Sequence, residues 1–525
     1  MCLIISKLPP PHPQLLDHQS VRLGFWVGLI ILVVACIAAY YPILFNDFLY
    51  YWDDQWQVIN RYTEGGINFG NIWSIFTEYF GGQYSPVNQS MYLFIYSLFG
   101  YNPMAFHAAS LLLHIGCVCL AYIIIIRIFR QTTLITFHNA HAVAFITAML
   151  FAVHPMNVES VAWISASKIV VYAFFYLLST YTYIIYLDRK RIVFYILTLL
   201  LFALSFGGKE QAVTFPIWLL MLYWILGHSL KDRKVWKQVA PFFVLAIVFG
   251  IVTMLSQASN GGGLLSNAST YPLWQRFILG CYSIIEYIVK FTIPYNLLYI
   301  YAFPMVKGEP LPTWMLLYPG IILVACISLW DWIRRLPLNV GLGFFLIHIA
   351  LVLHIVPISR FVVIADRYIY LACIGFSFIL AFYFIRFLAA KNGNARRIAI
   401  GCMVCIMLFF TIYSNIRTRD WKDVDSIKKE IRELLKKRDD YVAPELEKLL
   451  DNDNSENGEK EEGEAEEEGK SGEKPEAPET SENINKRETT RIVSLKSLLI
   501  YKYFYYEQEV FFSIGYRSNS SWIHF

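Results

Sequence analysis

Two adjacent carboxylates, Asp53 and Asp54, sit in the aromatic stretch FLYYWDDQWQVIN (48–60), directly after a charge-free apolar run from Leu23 to Phe45. Neighbouring side chains on an extended or helical backbone point different ways, so the pair divides roles rather than sharing one proton. Other polar groups stand at the edges of later apolar runs: His154 and Glu159 in HPMNVESVAW (154–163), Lys209 and Glu210 in GGKEQAVTFP (207–216), and Arg360, Asp366 and Arg367 beside Tyr368 and Tyr370 in ISRFVVIADRYIY (358–370). The last stretch is able to bind an anion through a guanidinium fork. The competing readings are a solvated loop edge for Asp53 and Asp54, a helix N-terminus for Glu159, snorkelling for Lys209 and Glu210, and an Asp366/Arg367 pair. YSP (84–86) with Asn88 reads as a turn.

These side chains must be positioned by a membrane protein. The 525 residues are 56% hydrophobic, 17% aromatic and only 16% charged, far from a soluble balance. A net charge of +4, with basic residues confined to short loops, gives no footprint for nucleic acid. Nine scattered cysteines without a CxxC pair read as packing thiols, and the N-terminus lacks a standard signal peptide. Apolar runs near 24–46, 106–127, 140–154, 167–187, 192–206, 212–228, 239–257, 313–333, 338–356, 367–388 and 398–414 predict an all-α polytopic fold of about eleven transmembrane helices. Basic clusters at Arg127/Arg130, Arg189–Arg191, Lys231–Lys237, Arg334–Arg335 and Arg396–Arg397 then share one side, which puts the N-terminus in the cytoplasm and the C-terminus outside. A twelfth run, 274–301, would break that alternation if it crossed. With Glu286 and Lys290 at i, i+4 it is expected to be interfacial or re-entrant.

The expected organisation is a cytoplasmic segment 1–23, a catalytic membrane domain 24–415 with large external loops 47–105 and 258–312, a short charged helix 416–450, an acidic disordered linker 451–489, and an apolar tail 490–525 that fits no period. By this topology the polar stretches converge on the external side. Carboxylates and several cations at a membrane surface suit chemistry on a lipid phosphate. The departing phosphate oxygen is weakly basic, so cations stabilise it and one carboxylate serves as base, unlike the two needed for glycoside hydrolysis.

WDDQWQVIN, YSPVNQSMYLFIYSLFGYNPMAFHAASLLLHI, HPMNVESVAWISASK, KEQAVT and ADRYIYLACIGF, in that order, together resemble the polytopic glycosyltransferases of the GT-C superfamily, and most of all the transmembrane O-mannosyltransferases that target cadherins and their bacterial relatives. The resemblance covers roughly residues 24–415. It implies a polyprenyl-phosphate-linked sugar as donor, a hydroxyl of a protein or glycan as acceptor, and an acidic residue of the first external loop as base. Carried over, Asp53 and Asp54 match the catalytic acidic pair, His154 and Glu159 the supporting HPxxxE stretch, and Lys209, Glu210 and Arg367 the KEQ and acidic-Arg-Tyr stretches. Arg367, Lys209 and Tyr368 are then the donor-phosphate and lipid contacts. No metal ligands are assigned and a divalent cation is left open, as is oligomeric state. The family usually continues into helix-pair repeats of 34 residues; residues 416–525 show a charged helix and an acidic tail instead, which favours a bacterial inner membrane over the endoplasmic reticulum. A transporter or flippase of lipid-linked sugars, or a surface-glycan ligase or polymerase, is the alternative. Transporters place charges near the midplane between repeats, whereas here they cluster toward one face.

Overall fold

The computed structural model describes residues 18–50, 52–132, 137–259, 271–299, 301, 303–305, 310–355 and 362–429. Among them the regular elements are helices, with two isolated β-bridges and no strand. In chain order these are α1 His18–Tyr40, α2 Asp54–Gln57, α3 Arg61–Glu64, α4 Phe69–Thr77, α5 Pro86–Phe99, α6 Pro103–Arg130, α7 Phe137–Val153, α8 Val158–Ala162, α9 Ser167–Arg189, α10 Ile192–Phe206, α11 Phe215–Ile225, α12 Arg233–Ala258, α13 Leu273–Thr292, α14 Leu317–Ser328, α15 Trp330–Ile333, α16 Leu336–Ile349, α17 Cys373–Ala390 and α18 Asn394–Asp420.

Six of the described helical segments are long and apolar enough to cross a membrane: those built on α1, α6, α9, α12, α17 and α18. The bent pair α7 and α8 makes a seventh if it is one broken span. The chain is an integral membrane protein. All eleven apolar runs contain helix, but several helices are too short to cross alone. At about 1.5 Å per residue, α10 spans roughly 22 Å against some 30 Å of hydrocarbon. Hydropathy marks the runs; helix breaks at Pro and Gly set the lengths. α13 is twenty residues long, with Lys290 and Glu286 paired at 4.0 Å as their spacing suggests. It is not among the six. Arg360, residues 260–270 and 306–309 of the expected loop 258–312, and the segments expected beyond residue 429 lie outside the described residues.

Ends of helices are set by local chemistry. Pro103 opens α6 where its missing N–H costs nothing, the Asn102 carboxamide accepts from Met104 N–H at 3.1 Å, and Arg127 and Arg130 face the carbonyl end. α9 and α10 form an antiparallel hairpin joined through Lys190 in the left-handed conformation. Its interior is pinned by hydroxyls: Ser179 Oγ to Thr198 O at 2.9 Å, Thr182 Oγ1 to Thr198 Oγ1 at 3.0 Å, and Ser205 Oγ to Tyr172 O at 2.8 Å. Small hydroxyl residues let two apolar helices approach closely and satisfy their own polarity. α6 packs on this hairpin and on α7, while α17 packs on α7 and α16.

The loop after α1 is tied to the end of α18. Asn46 Nδ2 donates to the carbonyls of Thr418 and Trp421, each at 2.9 Å, and Asp47 N–H to Lys422 O at 2.9 Å. Trp421 is buried and stacks on Trp163 at 5.8 Å. α18 thus runs past residue 415 and closes on the first loop. Residues 69–77 form the short helix α4, which leaves Phe69, Ile72, Trp73 and Phe76 exposed and only Ile75 buried, the two-faced pattern of an interfacial helix.

Candidate functional site

Asp53 and Asp54 face different surroundings. Asp53 precedes α2 with φ of 83°, a left-handed conformation that costs a non-glycine residue energy and turns the chain sharply. Its carboxylate is half-buried and accepts from Trp56 Nε1 at 3.1 Å. Asp54 has no exposure at all. It accepts from Leu49 N–H at 2.8 Å, from Ser165 N–H at 2.9 Å, and from the Ser165 hydroxyl. Burial pushes the Asp54 carboxyl up to about 7, against these three donors, which favour its charged form. Asp54 is therefore a clasp between the first loop and the turn before α9. The solvated-edge reading fails for it.

Pro155 bends the chain after α7, so that Glu159 falls in the first turn of α8. Glu159 is 2% exposed and grips Arg367 twice: Oε2 accepts from the Arg367 backbone N–H at 2.8 Å, and Oε1 from Nη1. The guanidinium lies over the rings of Tyr368 at 4.9 Å and Trp163 at 5.4 Å. Burial is the largest single influence and opposes its charge, but Glu159, Tyr368 and Asp53 together outweigh it and hold Arg367 above its ordinary range. Only Nη1 of the guanidinium is engaged among the described residues, which leaves a partly exposed fork for an anion.

Lys209 follows the Gly207-Gly208 pair after α10. A Cβ at Gly208 would lie 2.8 Å from Tyr172 N, so only glycine lets the loop lie flat on α9. Lys209 Nζ is 3.9 Å from Glu210 Oε1, a loose pair. Because α9 and α10 are antiparallel, the start of α9 lies beside this loop and brings in Lys168. That residue belongs to the quoted WISASK yet escaped the sequence reading, since a lysine at a span end reads as snorkelling. Its Nζ donates to Gln57 Oε1 at 3.2 Å and Gln83 Oε1 at 3.0 Å, both neutral. The charges that act on it are those of Lys209, Asp53, Glu210 and Arg367. Four segments far apart in sequence thus meet: the loop after α1, the start of α9, the loop after α10, and the turn before α17.

Other residues stand apart from this cluster. His154 is fully buried, with Nδ1 accepting from Met156 N–H at 3.3 Å, Nε2 3.0 Å from Phe291 O, and its ring stacked on Phe291 at 4.4 Å. Nδ1 caps the turn that follows His154, and Nε2 joins that turn to α13. Asp366 pairs not with Arg367 but with Arg417 of α18, at 3.3 Å, and accepts from the Tyr301 hydroxyl at 2.8 Å. Arg417 sits in the basic run IRTRD, where nothing in sequence separates a buried arginine from a solvated one. Asn88 is buried inside α5 and accepts from Ser167 Oγ at 3.1 Å, so YSP opens a helix rather than an isolated turn. Among the described residues no three His, Cys, Asp or Glu side chains gather as a metal shell.

No family model matches the chain. It is similar to the human protein O-mannosyl-transferase TMTC4, with 23% identity over 501 residues covering 78% of this chain and 62% of that protein. It is similar also to human protein O-mannosyl-transferase TMTC1, 29% identical over 219 residues (40% of this chain, 22% of that protein), and to its mouse counterpart, 31% over 149 residues (26% and 15%). The chain spans less than two thirds of the length of these relatives. The relationship to O-mannosyltransferases that the five motifs imply is borne out, at this distance.

Proposed function

We propose, from this distant relationship and from the cluster around Asp53, that the chain is an inverting glycosyltransferase that moves a sugar, mannose in the first instance, from a polyprenyl-phosphate donor to a hydroxyl of a protein or glycan. The observation that carries the proposal is that the Asp53 carboxylate acts on both Lys168 and Arg367, with Lys209 beside Lys168. Three cations hold the donor phosphate. Arg367, kept charged and aimed by Glu159, supplies the fork, and the two lysines supply point charge. Asp53 takes the proton of the acceptor hydroxyl as its oxygen attacks the anomeric carbon. The bond from that carbon to the phosphate oxygen breaks with its electron pair going to the phosphate, and the three cations offset the charge that develops. Asp54 fixes the loop that carries Asp53.

The proposed topology has eleven crossings, α13 lying at the interface, and the cluster on the non-cytoplasmic side of a bacterial inner membrane or the endoplasmic reticulum, where lipid-borne donor and water-borne acceptor meet. The test uses purified protein, a mannosyl polyprenyl phosphate of known anomeric configuration and a serine-containing peptide, with the product linkage read by NMR. Inversion at the anomeric carbon is expected. Retention, or no transfer to any hydroxyl acceptor, overturns the proposal.

A further inference from the structure

An apolar cavity of ≈ 80 Å³ lies where α6, α9, α11, α16 and α17 meet. That is about six times the space one water needs, and less than the roughly 150 Å³ that admits benzene. Gly341 and Gly375 shape one wall. A Cβ on Gly341 would lie 2.6 Å from Gly375 O, so the two glycines let the backbones of α16 and α17 touch. Trp218 and Phe344 meet edge to face at 4.8 Å on another side. The polar groups of the wall are spent within it: Trp218 Nε1 donates to Thr180 Oγ1 at 3.0 Å, and Thr180 Oγ1 donates to Tyr176 O at 3.0 Å. A water inside would find no partner, so the cavity suits hydrocarbon.

Its two ends differ. Toward the Asp53 cluster, the α9 face is closed by Tyr176, which is fully buried against the rings of Phe215 at 4.9 Å and His348 at 5.0 Å. At the other end Ile128, Pro337, Val340, Phe378 and Phe382 are part-exposed and form a mouth. Arginines frame this mouth. Arg127 and Arg130 flank Ile128 and Phe129, Arg335 stands just before Pro337, and Arg386 follows Phe382 by one turn on the same face of α17. The Arg335 guanidinium lies over the Trp332 ring at 4.7 Å, and that ring meets Tyr383 of α17 at 6.2 Å, which draws Arg335 toward Arg386. Of the acids at this end, Asp188 is taken up by Arg127 at 3.5 Å and Gln131 at 2.6 Å, and Asp331 stands on α15.

We propose that the cavity takes the end of one acyl chain of an anionic glycerophospholipid whose phosphate lies between Arg335 and Arg386. Basic groups where helices meet a membrane surface select anionic lipid. A linear chain fits so narrow a bore better than a methyl-branched isoprenoid, and Tyr176 closes the way to Lys168, roughly 18 Å from Thr180 along α9. The lipid is therefore distinct from the sugar donor, and the assignment does not rest on the glycosyltransferase reading.

The purified, delipidated full chain is titrated with dioleoyl phosphatidylglycerol, dioleoyl phosphatidylcholine and undecaprenyl phosphate, with bound lipid counted by native mass spectrometry. One phosphatidylglycerol should bind saturably, about tenfold more tightly than phosphatidylcholine. Ala121→Phe, which fills the cavity, should weaken it by about tenfold, and Arg335→Gln combined with Arg386→Gln should bring it to the level of phosphatidylcholine. The parent is also photolabelled with a phosphatidylglycerol that carries a diazirine at its chain end, a readout that needs no variant to fold; the label should fall on α6, α16 or α17. The proposal is overturned by equal binding of the two phospholipids, by label confined to other helices, or by a folded Ala121→Phe that binds as the parent does. It is overturned too if undecaprenyl phosphate displaces the phospholipid and itself loses affinity in Ala121→Phe, which would assign the cavity to an isoprenoid tail.

Discussion

At the scale of single residues, the two neighbouring aspartates differ because one faces a cluster of cations and the other faces backbone donors. Asp54 gives a prediction with a definite sign. An unfolded aspartate loses its proton near about pH 3.9, whereas folded Asp54 keeps it up to about 7. The folded chain thus binds more protons between these values. Its contribution to stability is fully present below the unfolded value and is lost as pH rises through about 7. Asp54→Asn, neutral throughout, should flatten that slope, read as a smaller difference between melting temperatures at acidic and neutral pH. Arg367 gives a second prediction. Arg367→Lys keeps the charge but loses the fork and both ring contacts, so donor affinity should fall about tenfold while the pH–rate profile keeps its shape. Titration calorimetry with farnesyl phosphate checks it, and unchanged affinity would remove Arg367 from the phosphate site. Asp53, Glu159, Lys209 and Arg367 were legible in sequence because a charge at the edge of an apolar run demands a reason. The burial of Asp54 was not, since Ser165, which supplies two of its donors, lies 111 residues away.

At the scale of elements, the cluster depends on close approach between α9 and the loop after α10. Gly208 is where that approach is tightest, and the obstacle there is Tyr172 backbone, which cannot rotate aside. Gly208→Ala should cost about 1–3 kcal/mol as overpacking and should move Lys209 away from Lys168. Reduced donor affinity together with a lower melting temperature is the expected result; a variant as stable and as tight-binding as the parent would show the loop to be loosely seated. Hydropathy located every apolar run. It did not show that α10, α14 and α16 are each too short to cross alone, nor that α18 continues to Arg417 and closes on Asp366. Those features arise from tertiary contacts, and a basic run such as IRTRD looks the same whether it faces water or a buried carboxylate.

At the scale of the whole molecule, the proposed eleven crossings would put residues 47–105 and the end of α12 on one side and Lys190 on the other. Cysteines introduced singly at Glu64, Ser259 and Lys190, in a chain freed of its own thiols, should react from outside at the first two and not at the third. Reaction at Glu64 but not Ser259 would contradict the topology. The order of the five motifs along the chain made the family resemblance visible, and similarity to the O-mannosyl-transferases of human and mouse agrees with it. How the four segments meet was not visible, because it depends on the antiparallel α9–α10 hairpin returning Lys168 to Lys209. The central claim is that Asp53 removes the acceptor proton while the cations hold the phosphate, and it is tested most directly by the turnover and donor affinity of Asp53→Asn in purified form. The account predicts a fall in turnover of about 10²- to 10⁴-fold, as for loss of a general base, with donor affinity retained. Transfer at the parental rate by this variant would contradict it.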